Sequence, residues 1–294
     1  MAHRGLTEHY LRIGDRAVTL LEGPAGWGEF SPLAGYPCDP VMARRAAEEA
    51  AVDGWPAPLR DTVPVNALVA GPGFDPAALA GFPAVKVKVR TPADVELVAA
   101  VRNAVGPHVA LRVDANGAFD VETAVDVIGR LAGLGVELVE QPVPGLDDLA
   151  ELRRRVSIPL AADESVRSLS DARRLRTLDA ADAIVLKVQP LGGVRAALAA
   201  AEAAGVPAIP TSMMETSIGL AAGLALAAAL PELPYPCGLA TVHMLAADVT
   251  HDRLVPDHGV MRVRAVAPDP ELLARYAVSS QDVSSSATSA GRSR

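Results

Sequence analysis

The feature that most constrains this chain is a near-constant step between charged residues that close strand-like runs. Lys88 lies in Phe82-Pro-Ala-Val-Lys-Val-Lys-Val-Arg90, and Asp114 ends Val-Ala-Leu-Arg-Val-Asp. Glu140 ends Val-Glu-Leu-Val-Glu, Asp163 ends Ile-Pro-Leu-Ala-Ala-Asp and Lys187 ends Ala-Ile-Val-Leu-Lys. The steps from Lys88 through these four residues are 26, 26, 23 and 24. A step of that size holds one strand and one returning helix, and successive parallel strands carry their C-terminal ends to the same face. Alternation along a strand also turns Lys86 and Lys88 to one side and the intervening valines to the other. The spacing therefore predicts one site containing lysine, three carboxylates and lysine.

Alternating β and α elements fit either a doubly wound open sheet or a closed barrel. An open sheet has difficulty gathering so many polar strand ends in one pocket. No Gly-x-Gly-x-x-Gly phosphate loop follows an early strand, so the expectation is an α/β barrel of the TIM type. At 294 residues the chain accommodates such a barrel plus a small satellite. Residues 1–62 read as that satellite, an α+β unit with short strands at Arg16-Ala-Val-Thr-Leu-Leu21 and Gly26-Trp-Gly-Glu-Phe-Ser31 and a helix over Met42–Val52. The barrel reading begins at Val63, with strands over Val63–Val69 and Pro83–Val89 and a helix over Pro92–Val105 opened by Thr91. Helices follow near Val121–Leu134, Leu146–Val156, Leu169–Leu178, Val194–Ala204 and Ile218–Leu230, and Ala208–Thr211 and Gly238–Thr241 are the seventh and eighth strands. The serine-rich segment 278–294 lacks apolar periodicity and reads as a disordered tail.

Composition excludes several function classes. A net charge of -8, with no Lys/Arg stripe, argues against a nucleic-acid partner. Cys38 and Cys237 have neither disulfide-framework nor metal spacing and read as structural thiols in a reducing compartment. The first residues lack the pattern of a secretory signal, so the expected location is the cytoplasm. The apolar run Ile218–Leu230 is shorter than the ~20 residues a membrane span needs, so no membrane partner is expected.

Asp114, Glu140 and Asp163 offer hard oxygen donors from neighbouring strands, which suits Mg2+ or Mn2+. A free lysine is a poor base at neutral pH. Burial, the like charge of Lys86 and a nearby cation all favour the neutral amine, which makes Lys88 the expected base. A bound cation would stabilise the dianion formed when the carbon beside a substrate carboxylate loses its proton, with Lys187 adding charge from the opposite wall. Asn116 either holds its ligand neighbour or touches substrate, or is a turn residue. Glu164 reads as a partner of a ligand or lysine. Gly192 and Gly193, before a helix, either present amides to an anion or make a tight turn. The loop Thr211–Gly219, with Ser212, Met213, Glu215 and Ser217, is placed to hold a second carboxylate of a small dicarboxylate substrate.

These residues resemble the enolase superfamily, specifically its muconate-lactonizing-like branch with Lys-x-Lys on the second barrel strand. Within it the chain is most similar to actinobacterial o-succinylbenzoate synthases. The resemblance rests on Trp27-Gly-Glu-Phe-Ser-Pro32, Val63-Pro-Val-Asn66, Lys86-Val-Lys88, Asp114-Ala-Asn116, Glu140-Gln-Pro142, Asp163-Glu-Ser165, Lys187, Leu191-Gly-Gly193 and Ser212–Gly219. It implies a modified (β/α)7β barrel over residues 63–249, covered by a cap built from residues 1–62 and from a C-terminal return over residues 250–277. It also implies a monomer, and a metal-dependent lyase that dehydrates 2-succinyl-6-hydroxy-2,4-cyclohexadiene-1-carboxylate to o-succinylbenzoate in menaquinone biosynthesis. A cap loop around Leu33–Cys38 is expected to crowd the pocket, although Gly35-Tyr-Pro-Cys-Asp39 departs from the family pattern. The cap's opening strand reads as partly missing or altered before Arg4-Gly-Leu-Thr7. The alternatives are an N-succinylamino acid racemase or related epimerase, and a non-catalytic metal-binding barrel acting as a scaffold.

Overall fold

Three antiparallel strands open the described chain, which in this computed structural model runs from residue 5 to residue 282. β1 (Thr7–Ile13), β2 (Arg16–Gly23) and β3 (Gly26–Phe30) pair in that order. All seven residues of β1 pair with β2; the expectation of a missing or altered stretch before Arg4 falls outside the described residues. The apolar signal of β1 is faint because burial is confined to Leu11 and Ile13. α1 (Pro40–Glu48) follows, with Pro40 in its first turn and the Asp39 side chain accepting from the Val41 N–H. A π-helical turn over Glu49–Asp53 extends it to Gly54.

β4 (Thr62–Pro64) and β5 (Asn66–Val69) split the strand expected over Val63–Val69. From β5 the chain alternates strand and helix: β6 (Ala84–Lys88), α2 (Val95–Val105), β7 (Ala110–Asp114), α3 (Val121–Leu131), β8 (Val136–Glu140), α4 (Leu146–Arg153), β9 (Leu160–Ala162), α5 (Leu169–Leu178) and β10 (Ala183–Leu186). The short α6 (Val188–Leu191), α7 (Val194–Ala204), β11 (Ala208–Pro210) and α8 (Ser217–Ala229) complete the unit. Strands β5 to β11 form one parallel sheet in sequence order.

Alternation divides the sheet's two faces. Val85 and Val87 point outward and join Val95, Val98 and Val101 of α2 in the main core. Leu138, Ala161, Ala183, Val185 and Ile209 form a separate apolar cluster on the other face. The expected eighth strand over Gly238–Thr241 is not a regular strand. Two single-residue parallel bridges, Val65 with Cys237 and Thr211 with Gly238, link the sheet's edges instead. Their backbone bonds include Cys237 N–H to the Pro64 carbonyl at 2.8 Å and Gly238 N–H to the Pro210 carbonyl at 3.0 Å. A Cβ on Gly238 would come within 2.7 Å of the Thr211 Cγ2, so the closure depends on that glycine.

Beyond the barrel, β12 (Val260–Arg262) pairs with β4, and α9 (Pro270–Tyr276) packs on β1. Ala277 bridges Leu11. Of the tail expected to be disordered, residues 283–294 lie outside the described residues. Both cysteines are free thiols and Cys237 is buried. Among the described residues no helix is long and apolar enough to cross a membrane; the run Ile218–Leu230 lies almost wholly within the buried α8.

Glu29 of β3 ties the front sheet to the barrel. Its buried carboxylate accepts from the Ser31 hydroxyl, from both the N–H and hydroxyl of Thr216, and from the Gly219 N–H at 2.9 Å. Thr216 and Gly219 are the N-cap and first turn of α8, whose N–H groups lack intrahelical partners. Glu29→Ala would strand two backbone N–H groups, and is expected to cost roughly 3 kcal/mol in urea unfolding. Burial pushes the Glu29 carboxyl up to about 7 from 4.5, against the hydrogen bonds from Ser31 and Thr216 that pull it down. The folded chain thus binds the proton more tightly than the unfolded chain. Glu29's contribution falls as pH rises through that interval, and the gap between wild type and Glu29→Ala should narrow from pH ~5 to ~7.

Candidate active site

Cross-strand register assembles the charged set. Lys88 of β6 stands opposite Asp114 of β7, and Asp114 opposite Glu140 of β8. Asp163 follows β9 by one residue and Lys187 follows β10 by one residue, so both leave their strands at the same end. All six of Lys86, Lys88, Asp114, Glu140, Asp163 and Lys187 line one cavity of about 510 Å³. Asp114, Glu140 and Asp163 are at most 3% exposed.

Each buried carboxylate is paired to a lysine. Lys86 Nζ donates to Glu140 Oε1 at 3.0 Å and lies 3.0 Å from Asp114 Oδ2. Lys88 Nζ donates to Asp114 Oδ2 at 2.6 Å and to Asn116 Oδ1 at 2.7 Å. Lys187 Nζ meets both oxygens of Asp163 at 2.5 Å. Burial alone would lower Lys86, but the Asp114 and Glu140 carboxylates outweigh it and raise it. Asp114 is held well below the usual carboxylate range, because Lys86 and Lys88 overcome the effect of burial. Glu140 goes the other way, pushed up to about 8 by burial and then by the Asp114 charge, with Lys86 opposing. Lys187 is raised: burial is outweighed by the Asp163, Glu140 and Glu164 charges.

The surrounding residues hold this set in place. Asn116, in the left-handed region at φ +48°, bonds Lys88 through its carbonyl and donates from Nδ2 to Glu164 Oε1 at 2.8 Å. Burial and the neighbouring Asp163 raise Glu164, so Asn116 links Lys88 to a second acidic group. Gln141, which follows β8, has φ +39°. Its Oε1 accepts from the Asp163 N–H at 2.7 Å and from both the N–H and hydroxyl of Ser165, while its Nε2 donates to the Val143 carbonyl. That single amide fixes the backbone from which Asp163 projects.

The expected substrate contacts divide. Ser212 and Met213 line the cavity, and the Ser212 and Thr241 hydroxyls lie 2.6 Å apart. Glu215 and Ser217 do not line it. Glu215 turns back onto the Met213 N–H and Gln189, and Ser217 bonds Asp248 and the Leu254 N–H. Gly192 and Gly193 also lie outside the cavity lining and pack against the front unit: a Cβ on Gly193 would fall 1.7 Å from Glu49 Oε2, and one on Gly192 3.1 Å from the Met42 sulfur. The doublet permits close approach of α1. Sequence reasoning did not single out Asn66, Thr241, Met244 or Met214, which also line the cavity. Met214 has φ +60°, a strained conformation for a side chain that sequence alone does not signal. Leu33, Ala34, Gly35 and Tyr36 of the cap loop line the cavity as well. Burial and then the Asp163 charge raise the Tyr36 phenol, which keeps it a neutral donor.

Among the described residues no three His, Cys, Asp or Glu side chains are drawn together as a ready cation cage. The carboxylates that would serve are turned to lysines. The donor chemistry nevertheless fits a hard divalent cation, since Asp114, Glu140 and Asp163 present only oxygen to one buried cavity. A cation and the lysines would share those oxygens.

Residues 75–268 match the family described as enolase C-terminal domain-like, and residues 5–51 match enolase N-terminal domain-like. The o-succinylbenzoate synthase of Thermobifida fusca is 54% identical over 283 residues, an alignment covering 91% of this chain and 89% of the relative. That of Mycolicibacterium smegmatis is 43% identical, covering 89% and 84%. Among solved structures, muconate lactonizing enzyme from Pseudomonas putida superposes with a TM-score of 0.80 at 21% identity, covering 93% of this chain and 98% of that one. Muconate cycloisomerase from Pseudomonas fluorescens gives 0.80 at 22% identity with the same coverage.

Proposed function

The chain belongs to the enolase superfamily, and from that premise we propose that it is an o-succinylbenzoate synthase, a lyase that removes water from 2-succinyl-6-hydroxy-2,4-cyclohexadiene-1-carboxylate. The observation that carries the reading is the convergence of Lys88 and Lys187 on one cavity beside three buried carboxylates.

Superfamily members depend on a divalent metal; we assign Asp114, Glu140 and Asp163 to hold it and Mg2+ as the ion, with Mn2+ as the alternative. When bound, such a cation supplies positive charge to the substrate carboxylate and stabilises the electrons left by the departing proton. Lys88 takes that proton from the ring carbon bearing the carboxylate. The electron pair of the broken C–H bond enters the ring, and the C–O bond on the adjacent carbon breaks. Lys88 returns its proton to the departing hydroxyl, so the net loss is one water and the ring becomes aromatic. Asn116 and Asp114 aim the Lys88 amine, and Lys187 supplies positive charge to the electron-rich ring from the opposite wall. Lys86, bonded to both Asp114 and Glu140, keeps those two carboxylates in register. Ser212 and Met213 receive the succinyl arm.

Lysines on opposite walls also suit removal and return of one proton on an N-succinylamino acid. Incubation with the cyclohexadiene substrate and Mg2+, followed by ultraviolet absorbance, is expected to show conversion to o-succinylbenzoate. No conversion, together with loss of optical activity of an N-succinylamino acid, would replace the dehydratase by the racemase.

A further inference from the structure

Tyr36 belongs to the cap loop, yet it touches two barrel residues of the charged set. Its phenol donates to Asp163 Oδ1 at 2.9 Å, and Lys187 Nζ stands 4.5 Å from the centre of its ring. The segment that carries it is short and fixed at both ends. On one side the Ser31 N–H donates to Gln189 Oε1 at 2.9 Å, and on the other Asp39 caps α1. Between them the Tyr36 N–H reaches the Leu33 carbonyl at 3.2 Å, closing a turn whose third residue is Gly35 at φ +83°, a conformation glycine adopts without strain.

We propose that Tyr36 is a positioning residue for Asp163 and Lys187, through which the cap sets the geometry of the barrel's charged set. The inference rests on the dehydratase reading for the roles of those two residues. Lys187 bonds both oxygens of Asp163, so without a further contact the pair is free to swing together. The phenol pins one of those oxygens, and the ring face closes another side of the ammonium, where the ring quadrupole attracts the cation. Partners of this kind, which hold a ligating carboxylate from outside, orient it for its ion. Tyr36 does not fill the substrate space, because the cavity of about 510 Å³ is the volume that remains with its side chain in place.

Two variants separate the two contacts. Tyr36→Phe removes the bond to Asp163 and keeps the ring; Tyr36→Leu removes both. Calorimetric titration of the substrate-free protein with Mg2+ is expected to show roughly tenfold weaker binding for Tyr36→Phe. Its kcat should fall with KM nearly unchanged, and Tyr36→Leu should lose a further several-fold in kcat through Lys187. Melting temperatures near that of wild type would identify these losses as effects on the site. Wild-type Mg2+ affinity and kcat in Tyr36→Phe would overturn the proposal, as would faster turnover in both variants, which would make Tyr36 an obstruction. If wild type itself fails to convert the cyclohexadiene, the dehydratase reading fails, while the Mg2+ titration still decides whether Tyr36 holds Asp163.

Discussion

Lys88→Ala is expected to lower kcat by about 10³-fold or more, because one amine both removes the ring proton and delivers it to the leaving hydroxyl. The fold should survive the change. The Lys88 side chain is 20% exposed, and Asp114 keeps its second lysine, Lys86, at 3.0 Å. Lys88→Arg isolates the reason for the loss. A guanidinium retains the positive charge beside Asp114 but does not give up its proton at any pH the protein tolerates. Lys88→Arg should therefore be as inactive as Lys88→Ala, with near-normal melting. An arginine variant that kept a tenth or more of wild-type kcat would reduce Lys88 to an electrostatic role and move the base elsewhere in the cavity.

Chelation with EDTA should abolish turnover, and Mg2+ should restore it in wild type but not in Asp163→Asn. The titration has a definite sign. Carboxylate ligands bind a cation in their ionised form, and the cation-free Glu140 carboxyl is pushed up to about 8 by burial and the Asp114 charge. Below that value a proton must leave when the cation enters. Apparent affinity for Mg2+ should strengthen by up to about tenfold per pH unit on the acid side of 8 and then level off. Calorimetry across pH ~6 to ~9 measures it directly. A flat profile would mean that Glu140 is already ionised and that Lys86 dominates its environment.

The barrel was legible in the sequence because strands β6 to β10 each report themselves twice, through outward aliphatic residues and through the ionisable residue at or just past the end. The interval from Lys88 to Asp114, Glu140, Asp163 and Lys187 needed no tertiary information. What escaped the reading depends on contacts between distant segments. β1 buries Leu11 and Ile13 alone, so its apolar pattern is too sparse to signal a strand. The segment at Cys237–Gly238 pairs through one residue on each side, too few for any periodicity. Gly192 and Gly193 look the same in sequence whether they face an anion or a helix, and Glu49 and Met42 decide between the two. Glu215 and Ser217 sit on the expected loop but are turned away by Gln189 and Asp248. Tyr36 lay within the expected cap loop, but nothing local aims its phenol at Asp163.

The pairing of three lysines with three buried carboxylates also bears on how the protein matures. A barrel interior holding uncompensated carboxylate charge would resist closing until an ion arrived, since unpaired buried charge is costly. This interior carries its own counter-ions, on β6 and just past β10 beside the strands that bear the carboxylates. Folding then need not wait for the ion, and EDTA-treated protein should keep a cooperative thermal unfolding transition while lacking turnover.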